Sequence, residues 1–116
     1  MLTDGLQVSI TGGATVNVFL GRPIEFIGQP STARLLATAD APGFYMNWLI
    51  NVGGVQLAPI APQTPVNVAA VTGAGPKDDE DTVASGIPLP SGARSQLNVT
   101  NSGSTADFRY RAVILP

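Results

Sequence analysis

The nine residues Phe44–Val52 read FYMNWLINV, and their period is two. Phe44, Met46, Trp48, Ile50 and Val52 share one side, whereas Tyr45, Asn47, Leu49 and Asn51 share the other. Successive side chains of a β-strand point to opposite faces, so this alternation specifies a strand and makes its Trp48 side the centre of a core. The same pattern recurs along the chain. Leu6, Val8 and Ile10 alternate with Gln7 and Ser9, and Ala14, Val16, Val18 and Leu20 alternate with Thr15, Asn17 and Phe19. Gly12-Gly13 between these two runs predicts a hairpin. Strands are also expected at 24–27, 32–39, 66–71, 96–100 and 107–115. In the last of these, Phe108, Tyr110, Ala112 and Ile114 oppose Arg109, Arg111, Val113 and Leu115. Residues 58–65 carry Pro59, Pro62 and Pro65, which makes them extended or edge-like, because proline cannot donate to a ladder. Residues 72–95 read as a long irregular stretch. Eight or nine short antiparallel strands without an amphipathic helix give an all-β, single-domain β-sandwich over residues 1–116, jelly-roll-like in type.

Several kinds of chemistry are excluded by residues the chain lacks. It has no cysteine and no histidine. That removes disulfides, thiolate nucleophiles, Ser-His-Asp triads and typical zinc sites. Lys77 is the one lysine. The expectation is a protein that is not an enzyme, with no cofactor and no small-molecule substrate. The net charge of −2 opposes an electrostatic grip on nucleic acid. No apolar run approaches the roughly 20 residues of a membrane helix. The opening Met1-Leu2-Thr3-Asp4 has no basic or apolar signal region, so no secretory leader is expected. Charged residues make up 12% of the chain, about half the usual share of roughly a quarter. A surface so poor in charge suits a subunit whose faces neighbours cover.

Three groups of residues are candidate sites. The run at 78–81 holds four of the eight carboxylates. Asp78, Asp79 and Asp81 are the candidate cation ligands, although the spacing is not that of a calcium loop; the alternative is a solvated loop tip. Arg109 and Arg111 share a face of the last strand and are candidates to meet acids of a neighbouring subunit, the 78–81 run included. Val113, Ile114 and Leu115 form a strand end apolar on both faces, which requires a second cover. Leu36 and Leu49, out of phase on their own strands, point the same way. The expected subunit interface is therefore Leu36, Leu49, Arg109, Arg111, Val113 and Leu115. Tyr45 and Phe19 are the candidate exposed aromatics, and Trp48 is assigned to the core. Asn98-Val99-Thr100 matches a glycosylation sequon and is read as coincidental.

Short strands rich in Thr, Asn, Gly and Pro, low charge, no cysteine and no leader together resemble small viral coat and capsid-decoration proteins. The resemblance is one of style over the whole chain. It implies a structural virion protein of phage-like type, made in the host cytoplasm, whose partners are copies of itself or a major capsid protein. Coat proteins that package RNA often carry a basic N-terminal arm; here Asp4 is the one charge before Arg22, which favours a shell or decoration role. The alternative reading is a carbohydrate-binding or adhesin/fibre-type binding module.

Overall fold

The computed structural model describes residues 2–56, 60–69, 75–77 and 81–116. Nine strands follow one another: β1 (Leu2–Ile10), β2 (Thr15–Asn17), β3 (Ser31–Ala39), β4 (Phe44–Val52), β5 (Val55–Gln56), β6 (Ile60–Pro65), β7 (Thr82–Leu89), β8 (Arg94–Asn101) and β9 (Ala106–Leu115). A 3-10 turn at Pro23–Glu25 stands where a short strand is expected at 24–27. One sheet has the order β1-β9-β3-β7; the other has the order β2-β8-β4, with β5 and β6 both pairing β4.

Four antiparallel pairs are nested: β1 with β9, β2 with β8, β3 with β7 and β4 with β6. The chain is thus a single long hairpin folded over near β5. Additional pairing of β3 with β9 and β4 with β8 rolls that hairpin into two sheets. This is the jelly-roll arrangement of a β-sandwich.

The expected hairpin across Gly12-Gly13 does not form. Those glycines instead carry the chain from one sheet to the other, because β1 finds its partner in β9 and β2 finds its partner in β8. Strand β7 is a second difference, lying inside the stretch expected to be irregular. Pro88 lies in it. At the edge of a sheet, however, Pro88 needs no ladder donor on its open side. Gly86 has φ 68 where the register with β3 shifts by an extra residue on β7, as a bulge requires. The third difference is at 66–71. The strand lies earlier, at β6; Val66 points into the core, and Val68 makes an isolated parallel bridge to Ala39.

Alternation decides what the two sheets enclose. Phe44, Met46, Trp48 and Ile50 of β4 meet Phe108, Tyr110, Ala112 and Ile114 of β9 across the sandwich, all buried. Phe19 fills the space between them. Its ring lies edge-on to Trp48 at 6.2 Å and to Tyr110 at 5.1 Å, so one aromatic touches both sheets. It was expected outside. The alternation of β2 stops at Asn17, and the following turn buries Val18 and Phe19 in succession while Leu20 points out.

The connections at one end are locked by Asn101. Its Nδ2 donates to Ile10 O at 2.9 Å and Ser104 O at 2.8 Å, and its Oδ1 accepts from Gly103 N at 2.9 Å. The backbone of three connections closes around it so tightly that a Cβ on Gly12 would sit 2.4 Å from Gly103 O. Gly12→Ala is therefore expected to cost about 1–3 kcal/mol through backbone displacement. Gly28→Ala, which would meet nothing within 4 Å, is expected to stay within about 0.5 kcal/mol of the parent. Urea denaturation midpoints of the two variants check this.

Candidate functional site

Each sheet has an outer face, and the two differ in chemistry. On the β1-β9-β3-β7 sheet, β9 alternation sends Asp107, Arg109, Arg111 and Val113 outward. Arg109 does not present its charge to a neighbour. It is 8% exposed, and donates from Nη1 to Asp40 at 2.8 Å and from Nε to Gln7 at 3.1 Å. Gln7 in turn donates to Asp107 at 3.0 Å, closing a network across β1 and β9. Leu36 is likewise no interface residue in waiting, for its exposure is 0%. As part of an inner strand it lies between Arg111 and Thr82 in register. The chain near Asp81 also lies against β3, with Ala37 N donating to Asp81 O at 3.0 Å. The cover that Leu36 was expected to need from another subunit comes from its own chain.

Of the other expected interface residues, Arg111 and Val113 are half-buried and Leu115 is exposed, all on this sheet. Leu49, half-buried, lies on the opposite sheet. The set therefore does not form one surface. Of the expected cation ligands, Asp78 and Asp79 lie outside the described residues. The Asp81 carboxylate accepts from Lys77 N at 2.8 Å and Asn67 Nδ2 at 3.3 Å, which ties its own loop together. Among the described residues no three carboxylates, histidines or cysteines gather as metal ligands. No helix among them is long and apolar enough to cross a membrane.

The outer face of the other sheet is almost uncharged. Its rungs are Thr15–Thr100–Tyr45, Asn17–Asn98–Asn47, Gln96–Leu49 and Arg94–Asn51. The Thr15 and Thr100 hydroxyls are 2.8 Å apart. Asn17 turns its Oδ1 back to accept from Phe19 N and Leu97 N, ending β2. Between Thr15, Tyr45, Asn47, Asn98 and Thr100 lies a depression of about 220 Å³. Tyr45, 40% exposed, forms one wall. Asn47 Oδ1 is buried and has no hydrogen-bond partner among the described residues.

At the end of the sandwich where β9 finishes and β4 turns at Gly53-Gly54, apolar side chains are exposed. Phe26 (59%), Val55 (65%) and Leu115 (47%) are there, and Leu20 (70%) stands on the connection leading to Phe26. Phe26 walls two depressions. One, about 290 Å³, is shared with Pro23, Ile27, Ile114 and Pro116; the other, about 400 Å³, is shared with Asn51, Gly53 and Arg94.

A buried ionic group also emerges, one that sequence reading missed. Asp4 is buried and accepts from Arg22 at 2.5 and 3.1 Å and from the Tyr110 hydroxyl at 3.1 Å. Arg22 further donates to Gly5 O at 3.1 Å, which satisfies a carbonyl on β1, the edge strand. The signal was phase: Asp4 is in step with Leu6, Val8 and Ile10, the inward positions of β1. Burial, and then the Asp4 charge, push the Tyr110 phenol well above its ordinary value of 10. A phenol held protonated in this way is a hydrogen-bond donor and no general base. Arg22 is held more firmly charged by its bonds to Asp4.

No family model, curated protein or solved structure matches the chain.

Above about pH 10 the unfolded chain loses the Tyr110 proton while the folded chain keeps it, so stability falls as pH rises. Below that value both states are protonated and the contribution is constant. Denaturation midpoints across the alkaline range are expected to fall more steeply for the parent than for Tyr110→Phe, which removes the titrating group.

Proposed function

We propose that this chain is a structural subunit, working by contact with copies of itself or with a larger shell protein and not by covalent chemistry. The observation that carries this reading is the exposed Phe26 side chain, which borders two hollows at the end of the sandwich where Val55 and Leu115 are also exposed. Single exposed apolar residues are ordinary on a protein surface; a large exposed ring beside two hollows, one of them walled by Pro23, Ile27 and Ile114, marks an interaction site. Phe26 is the anchor. It offers a large apolar ring between the two hollows, and aromatic anchors seated in pockets dominate interface energetics.

Two further observations support the reading. Charged residues are scarce, and two of the titratable groups in the fold, Arg109 and Asp4, are taken up by bonds within the chain. The jelly-roll strand order is also the one used by many viral capsid subunits, although lectin and cupin domains use it too. On that basis the proposed setting is a virion of phage-like type, with the chain as a capsid or capsid-decoration component made in the host cytoplasm. Neither membrane nor nucleic acid is a proposed partner.

Light scattering of the purified chain over a range of concentrations tests the assembly reading. A discrete oligomer is expected, with Phe26→Ser weakening association by about tenfold or more and leaving the strand content of the spectrum unchanged. A chain that stays monomeric at the highest concentration and does not bind capsids would refute the reading.

A further inference from the structure

We propose that the outer face of the β2-β8-β4 sheet is a binding site for a neutral saccharide, centred on Tyr45 and distinct from the apolar end around Phe26. The first argument is charge. Of the ten outward side chains on those strands only Arg94 is ionic, and it pairs in register with Asn51, three rungs from Tyr45. Among the described residues a phosphate, carboxylate or nucleic acid finds no counter-charge lining the depression, so the face selects against charged ligands.

The second argument is the kind of polar group present. Thr15 and Thr100 offer hydroxyls, and Asn47 and Asn98 offer amides, around a hollow of about 220 Å³. Each of these side chains both donates and accepts. That matches a ligand whose hydroxyls also do both.

The third argument is the ring. Tyr45 stands exposed beside this polar group while Trp48, one step out of phase, is buried in the core. An exposed aromatic face next to hydroxyl and amide groups fits the C–H face of a pyranose, with the ring covering apolar carbon and the polar groups taking the hydroxyls. A protein partner fits less well. The centre of a protein interface is apolar and aromatic, whereas here Leu49 is the one aliphatic side chain among the outward positions of these strands.

Amide chemical-shift titration of the full chain tests the proposal. The probes are a panel of neutral oligosaccharides (hexamers of glucose, mannose, galactose and N-acetylglucosamine in their common linkages) with sialylated and sulfated oligosaccharides as charged comparators. At least one neutral probe is expected to shift the amides of Tyr45, Asn47, Asn98 and Thr100 in a saturable way. Tyr45→Ala is expected to weaken it about tenfold. Asn98→Ala, which removes a polar group without touching the ring, is expected to weaken it too, and this second variant keeps the test valid should Tyr45→Ala fold poorly. Phe26→Ser is expected to leave the titration unchanged whatever it does to assembly. The proposal is overturned if no neutral probe shifts these amides at millimolar concentration. It is equally overturned if only the charged probes do, or if the same amides shift on simple concentration of the protein, which would make the face a contact between copies.

Discussion

Everything in this molecule depends on pairing the two halves of the chain in nested order. Trp48 can be buried only if β4 lies between β8 on one side and β6 on the other, and β8 follows β4 by about fifty residues of sequence. The same holds for β1, which meets β9 with Leu6 opposite Tyr110. Few of these contacts are local, so most loop-closure entropy must be spent before the core rewards it. Once formed, the arrangement gives each sheet one face for the core and one for the outside. The outer faces are where function has room to differ.

Polar groups hold this arrangement where apolar burial alone would leave choices open. Asn101 ties β8 to the ends of β1 and to the connection before β9, and the glycines around it let three backbones approach. Asp4 plays the matching part at the β1 edge, joining Arg22 and Tyr110 across the two sheets' connection. A buried carboxylate is tolerated because its bonds to Arg22 and Tyr110 replace the water it loses. Losing either partner would strand it. The Asp4 anchor engages two ionic groups, Asp4 and Arg22, within the fold.

The strands with the longest alternation were legible in the sequence. Phe44–Val52 forms as read, with the expected side inward, and β9 buries Phe108, Tyr110, Ala112 and Ile114 as read. Pairing was not legible, because Gly12-Gly13 signals a turn without saying whether the next strand returns to the same sheet. Phase was lost where regular strand ended. Phe19 is buried and Leu20 exposed because the turn after Asn17 rotates the chain. Edge strands were hidden by the proline that suits them to an edge, as Pro88 does in β7. The candidate surfaces were legible only in part. Tyr45 was expected to be exposed and is, but the depression beside it comes from rungs that join three strands distant in sequence. Leu36 and Arg109 looked available because their own chain's cover could not be foreseen from alternation.

The nested pairing is the claim on which both surface readings rest, since it places Tyr45 beside Thr15 and Thr100 and brings Phe26 to the end of β9. Nuclear Overhauser contacts between strand backbones measure it directly. The account requires cross-strand contacts joining Leu6 to Tyr110, Val16 to Val99 and Ala33 to Ile87 in one sample. Contacts pairing β1 with β2 as a hairpin across Gly12-Gly13, in place of the β1–β9 and β2–β8 set, would contradict it.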